Sequence, residues 1–202
     1  FVDTTDIYEL LKADSIYPKG EYVSQINLKK MEKELSENHA IKDVQAFLEI
    51  DGTIHINIRQ KEPIMRLITE SNMQYYVDKQ MDFMPVDFDY TADVPVLSGY
   101  LPDKFINEYQ RSNNSDSNIN LPYTLNDIVE FAMFIYDDEL WRNQIVQIYI
   151  NNNQEFELIP RVGKHIIILG DLENYDYKMK KLKAIYKKAL PDFGWVTYKS
   201  IN

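Results

Sequence analysis

No cysteine occurs among the 202 residues. That absence excludes disulfides, thiolate zinc sites, thiol nucleophiles and dithiol redox pairs together, and it fits an oxidising or a reducing compartment equally. Glycine is scarce at six residues, scattered singly, so no glycine-rich cradle for phosphate can form. Gly163-Lys164 comes nearest to a phosphate loop, but His165 stands where a hydroxyl residue is required and Leu158 where the first glycine is required. No Gly-x-Ser-x-Gly nucleophile elbow occurs. Long hydrophobic runs are missing too. The longest, Phe131-Ala-Met-Phe-Ile-Tyr136, falls far short of the roughly 18 residues a spanning helix needs. Basic charge is in deficit: 22 Lys and Arg against 32 Asp and Glu leave −10 at neutral pH. Such a chain repels phosphate, which excludes nucleic acid as a partner without a local basic stripe. No initiator methionine or basic leader precedes Phe1, so the chain is expected to be a part excised from a longer protein.

What is present reads as globular. The composition is 45% hydrophobic and 27% charged, and the length allows one large domain or two small ones. Fifteen tyrosines favour sheet-rich surfaces. Ile7, Leu10 and Leu11 fall at helical spacing behind a capping Asp3 or a following Thr, so residues 3–12 are expected to be helical. Pro18-Lys19-Gly20 breaks the chain. A second helix carries Leu28, Met31 and Leu35 on one face and stops near Asn38. The period then becomes two. Val44, Ala46, Leu48 and Ile50 alternate with polar neighbours, Asp51-Gly52 follows, and Ile54, Ile56 and Ile58 alternate again, which predicts a β-hairpin lying on the two helices. Residues 1 to about 62 thus form a helix-helix-strand-strand unit.

Glu62-Pro63 ends that hairpin. Beyond it, Ile64–Ile68 and Tyr75–Asp78 read as extended, and Val94-Pro-Val-Leu97 as a short edge piece closed by Ser98-Gly99. Residues 100–122 form a polar loop around Ser112–Asn118. Thr124 with Asp127 makes a capping box for a helix lined by Leu125, Ile128, Val129, Ala132 and Ile135. Three strands follow, on Val146–Ile150, Phe156–Leu158 and His165–Leu169, with turns at Asn151–Asn153 and Pro160–Gly163. The last helix spans about Asn174–Leu190, turning Met179, Leu182, Ile185, Tyr186 and Ala189 inward beneath a face of lysines that suits its C-terminus. Trp195–Ile201 reads as a final strand.

Chemistry has few candidates. His39, His55 and His165 are far apart, without metal-ligand spacing. Asp116, Asn118, Asn120 and Asp127 echo a calcium loop, but Leu121 replaces the glycine of its sharp turn and the last carboxylate is not Glu, so a plain polar loop is expected. Asp137-Asp138-Glu139, near Asp127 and Glu130, could be an acid/base or metal cluster, against the simpler reading of a solvated helix end. The lysine face of the last helix is the only basic stripe, a solvated face or a contact for anionic lipid.

The ordered motifs do resemble a known family. Ile26-Asn-Leu28, Val44 and Ile54-His-Ile-Asn-Ile58-Arg-Gln-Lys-Glu62-Pro63-Ile64 resemble the POTRA domain of the FtsQ/DivIB cell-division proteins. Tyr76-Val-Asp78 and Val94-Pro-Val-Leu97-Ser-Gly99 look like the first strands of the family's β-domain. Trp141-Arg-Asn-Gln144-Ile145, Glu157-Leu-Ile-Pro160-Arg-Val-Gly163, Leu169-Gly170, Ala189-Leu-Pro191 and Gly194-Trp195 are similar to the Bacteroidetes variant. The sequence departs from the pattern in Lys79-Gln80, where the turn usually carries glycine, and in the 112–118 insertion. The family's POTRA begins with a strand that would precede Phe1, and its terminal strand would run past Asn202.

The resemblance implies an α+β protein: a POTRA domain at 1–67, then at 68–202 a mostly antiparallel β-domain flanked by helices. It implies the extracytoplasmic part of a bitopic inner-membrane protein on the periplasmic face of the division septum, non-catalytic and without cofactor, metal, nucleic acid or small-molecule substrate. Its implied partners are FtsB-like and FtsL-like divisome proteins and, through the POTRA domain, other divisome subunits, with control of septal peptidoglycan synthesis as the outcome. The partner would add a strand at Thr197, Tyr198, Lys199, Ser200 and Ile201. Unpaired strand edges and the lack of chemistry agree with recognition by β-augmentation. Two rivals stand beside this reading: a POTRA-type polypeptide-binding module of outer-membrane assembly, which would come in tandem repeats, and a cell-wall hydrolase using the carboxylates near 127–139, which needs two facing carboxylates, one of raised pKa.

Overall fold

The computed structural model describes residues 2–13, 16–86, 91–103, 106, 121–188, 190–195 and 198–202. Proximity of Cα atoms divides the chain into two units, Phe1–Glu62 with Phe83–Thr91, and Pro63–Asp82 with Ala92–Asn202. The sequence-based division at 67/68 falls inside a single strand, because Pro63 opens a strand only two residues after the hairpin ends.

The first unit holds α1 (Thr4–Ala13), a 3-10 turn at Val23–Gln25, α2 (Leu28–Ser36), β1 (Ile41–Leu48) and β2 (Ile54–Gln60). Asp3 Oδ1 accepts the N–H groups of Thr5 and Asp6, while the Asp6 carboxylate accepts the Asp3 N–H, so three N–H groups at the N-terminus of α1 are satisfied reciprocally. Asn27 Oδ1 caps α2 by accepting the Lys30 N–H. The antiparallel register sets Val44 opposite Ile58, Ala46 opposite Ile56 and Leu48 opposite Ile54. That face packs on Leu11, Met31 and Leu35, as the alternation predicts. The outward face carries cross-strand pairs: Arg59 on Asp43, and Phe47 stacked on His55 with ring centroids 5.0 Å apart. Ile50 differs from expectation. The Glu49 N–H donates to the Thr53 carbonyl, closing a loop of Ile50, Asp51 and Gly52, so Ile50 leaves the apolar row and is fully exposed.

The second unit is built on a mixed sheet. Its strands are β3 (Pro63–Ile68), β4 (Gln74–Asp78), β6 (Val96–Gly99), β7 (Ile145–Ile150), β8 (Phe156–Pro160), β9 (Ile166–Gly170) and β10 (Ser200–Ile201), and the short β5 (Phe83–Pro85) follows β4 in the chain. Across the sheet the order is β10-β9-β8-β7-β6-β3-β4. The ladders β3–β4, β7–β8 and β8–β9 are antiparallel, and β3–β6, β6–β7 and β9–β10 are parallel. The helices are α3 (Leu125–Asp137), α4 (Glu139–Gln144), α5 (Tyr175–Lys188) and α6 (Leu190–Phe193). Their apolar stripes, including Ile128, Phe131, Ile135, Met179 and Leu182, are buried with Leu67, Leu97, Ile148, Leu158 and Ile167 of the strands. The Thr124–Asp127 capping box forms as its spacing predicts.

Several local expectations change. Strand β6 lies in the interior of the sheet, parallel to both neighbours, where Pro95 suggests an edge. The proline stands just outside the strand, and its carbonyl accepts the Arg66 N–H, so no ladder donor is lost. The turn after Asp78 forms without glycine. Met81 takes φ 64°, and the buried Asp78 accepts the N–H groups of Gln80 and Asp82. Of the inward residues expected on the last helix, Met179, Leu182 and Tyr186 are buried, Ile185 is half-buried, and Ala189 lies outside the described residues. The 112–118 insertion and the calcium-like positions 116–120 also lie outside them.

Gly99 is where the sheet is most demanding. Its φ is 102°, and a Cβ there would stand 2.1 Å from the Ile150 carbonyl oxygen. Gly99→Ala is expected to destabilise the protein by about 2–4 kcal/mol; an unchanged urea midpoint would contradict this packing.

Candidate protein-interaction edge

The sequence places Tyr198, Lys199, Ser200 and Ile201 at the end of the chain, and the structure places them at the border of the large sheet. Strand β10 is outermost in the strand order. Ser200 pairs with Ile166 and Ile201 with Ile167, and the Ile166 N–H donates to the Lys199 carbonyl at 3.0 Å. Among the described residues no strand pairs with the other side of β10. The peptide bond from Lys199 to Ser200 is trans. Its carbonyl points to β9, so its N–H, on Ser200, points away into the open side. The edge therefore offers an unpaired backbone donor in strand geometry, the group a further strand needs. Tyr198 (39% exposed), Lys199 and Ser200 are exposed and Ile201 is half-buried. Thr197 lies outside the described residues. The expected strand Trp195–Ile201 is in fact confined to Ser200–Ile201. Ile166, the register partner of Ser200 on β9, is an exposed aliphatic residue beside this edge.

An aromatic stack holds the chain that leads into β10. Tyr186 of α5 meets Trp195 at 5.5 Å, Trp141 at 5.3 Å and His165 at 5.7 Å between ring centroids. His165 is buried, and its Nε2 lies 2.8 Å from the Tyr186 hydroxyl. The Trp195 carbonyl lies on the side of Nδ1, short of good hydrogen-bond geometry. Burial pulls the His165 pKa below its ordinary value, against the weaker pull of that carbonyl. Burial likewise pushes the Tyr186 hydroxyl up to about 12, opposed by a hydrogen bond with Gln144. Gly163 lets the turn pass close: a Cβ there would stand 2.6 Å from the His165 ring and 2.9 Å from the Trp195 carbonyl. No sequence pattern points to this stack, since its members come from four separate elements.

Three of the five carboxylates read as a candidate acid/base cluster are engaged in the structure, while Glu130 and Glu139 are exposed. Asp127 closes the capping box of α3. Asp137 pairs with Lys79 at 2.6 Å. Asp138 is the N-cap of α4, a helix that periodicity alone does not separate from α3, accepting the N–H groups of Leu140 and Trp141, and it also pairs with Lys183. Partial burial pushes the Asp138 pKa up, but the hydrogen bond and charge of Lys183 and the two N–H groups outweigh it and hold the carboxyl low. A general acid of a glycosidase needs the opposite shift. Of the histidines, His39 is exposed and His55 pairs with Glu49 at 3.1 Å. Among the described residues no group of three or more His, Cys, Asp or Glu is placed to hold a metal ion. A groove in the first unit is walled largely by aliphatic side chains such as Ile7, Leu11, Ile54 and Ile56. The polar Asp3 and Gln60 on its wall are bonded to backbone. No helix among the described residues is long and apolar enough to cross a membrane.

A helix-helix-hairpin unit followed by a helix-flanked β-domain with an open C-terminal border defines a two-domain scaffold of the POTRA class. Residues 1–59 match the model described as a POTRA-like domain, and residues 62–202 match that described as FtsQ/DivIB, C-terminal related. The chain belongs to this FtsQ/DivIB-related family. Its domains are those of a divisome scaffold, in families that are generally non-catalytic. No curated protein matches the chain. Residues 62–202 thus match a different domain and are not a second POTRA unit.

The buried His165 makes stability depend on pH. An unfolded histidine takes its proton near pH 6.5 and the folded one lower, so between the two values the unfolded chain binds more protons and stability rises with pH. The contribution is complete above about pH 6.5 and is lost as pH falls toward the folded value. The thermal midpoint is expected to fall between about pH 7.5 and pH 5.5, with a shallower slope in His165→Gln. Equal slopes for the two proteins would refute this assignment.

Proposed function

We propose that this chain is the extracytoplasmic part of a bitopic inner-membrane cell-division protein, a non-catalytic scaffold on the periplasmic side of the septum. Its β10 edge receives a strand from a small coiled-coil partner of the FtsB or FtsL kind. Its POTRA-like domain engages other divisome subunits, and the assembly helps regulate septal peptidoglycan synthesis. The observation that carries this reading is the open side of β10, with the Ser200 N–H turned outward. Family membership supports the setting, and the structural use of Asp127, Asp137 and Asp138 supports scaffolding over hydrolysis.

A peptide from the FtsB-like partner is expected to bind by isothermal titration calorimetry. Tyr198→Glu should weaken that binding about tenfold through lost apolar contact beside the added strand. The melting temperature should hold, because Tyr198 is 39% exposed. Unchanged affinity in the variant would count against docking at this edge. Topology is checked separately: the gene upstream of Phe1 should encode one apolar span of about 20 residues behind a short basic tail, and its absence would exclude the bitopic arrangement.

A further inference from the structure

Charge is unevenly placed along this acidic chain. Residues 1–160 carry 13 Lys and Arg against 28 Asp and Glu, whereas residues 161–202 carry nine against four. The segment that builds the open edge is therefore basic, and the rest of the molecule is strongly acidic. Three of its cations are engaged within the protein: Arg161 with Asp93, Lys178 with Asp171 and Lys183 with Asp138. Lys164, Lys180, Lys181, Lys187, Lys188 and Lys199 are exposed.

Two of these cations stand next to the edge in the chain. Lys199 lies in the run into β10, one residue before Ser200. Lys164 precedes His165 and Ile166, the residues at the start of the β9–β10 ladder. His165 and Ile167 are buried on the face of β9 that α5 covers, so α5 brings its last turn to that face of the sheet. Ile166 and its register partner Ser200 lie on the opposite face, where Ile166 is exposed. A strand added beside β10 would alternate its side chains between these two surroundings. Ile166 is exposed on one of these faces, and the exposed Lys164 and Lys199 stand beside the start of the ladder.

We infer that the strand received at β10 is acidic, with carboxylates set against the cations that flank the β9–β10 ladder, Lys164 and Lys199. The inference rests on strand addition at this edge and adds the chemistry of the partner. The unpaired Ser200 donor and the exposed Ile166 favour a peptide strand over a lipid surface, which needs no backbone donor. Positive charge concentrated at one border of an acidic molecule also steers such a partner there and turns basic segments away.

The test uses two labelled peptides of about ten residues, one alternating valine with glutamate and one alternating valine with glutamine, titrated with the whole chain by fluorescence anisotropy. The glutamate peptide is expected to bind about tenfold tighter at about 0.05 M NaCl, with the margin lost by about 0.5 M. Substituting the exposed residues in Lys164→Gln and Lys199→Gln together should bring its affinity down to that of the glutamine peptide. Ser200→Pro removes the outward donor while leaving the Lys199 carbonyl on β9, and should abolish binding of both peptides. Circular dichroism of each variant checks its fold. Equal affinity for the two peptides, both lost in Ser200→Pro, overturns the acidic partner and leaves strand addition standing. Salt-sensitive binding of the glutamate peptide that survives Ser200→Pro overturns strand addition, and the inference with it. Binding to phosphatidylglycerol vesicles with no peptide binding assigns the lysines to lipid and overturns the inference. Self-association at low salt with no peptide binding assigns them to a second copy and likewise overturns it.

Discussion

The interaction surface of this protein depends on one short ladder, the parallel pairing of β10 with β9. Two residues of β10 take part in it, and the Lys199 carbonyl receives the Ile166 N–H. Because a peptide unit is planar and trans, satisfying that carbonyl on one side turns the following N–H to the other. The same bond that seats the strand thus creates the open edge. So short a ladder contributes little by itself. Earlier in the chain, Trp195 packs on Tyr186, and Tyr186 on His165 and Trp141.

The remainder of the second unit shows how polar groups are consumed in making that platform. Acidic residues cluster in sequence around 127–139, yet three of them serve the structure directly. Asp127 closes a capping box, Asp137 pairs with Lys79, and Asp138 starts a helix while holding Lys183. A carboxylate held ionised by N–H donors and an ammonium group is a poor proton donor at neutral pH. Three members of the cluster therefore serve to cap helices and tie them to neighbouring segments.

Much of the architecture was legible because its signals are local. The β1–β2 hairpin followed from alternation on both sides of Asp51-Gly52, and the Thr124 capping box from a spacing of three residues. Errors arose where neighbours decide. Pro95 suggested an edge, yet β6 is flanked on both sides, because the proline falls just before the ladder begins. Asp138 read as part of a solvated helix end, and its role as the N-cap of α4 shows only once Leu140 and Trp141 turn back toward it. His165 read as an ordinary strand residue, since nothing near it in sequence announces Tyr186 or Trp195.

By itself the sequence determined the periods, caps and turns of most elements, the motif order that marks the family, and the concentration of positive charge after residue 160. These are properties of residues at fixed separations along the chain, and short-range sterics and hydrogen bonding act at that range. Only the tertiary structure decided which strand lies in the middle of the sheet, which lies at its border, and which face of β10 meets solvent. Those outcomes come from pairings between segments far apart in the chain, chosen by how buried side chains such as Leu97, Ile148 and Tyr186 fit together, and no local pattern encodes that fit.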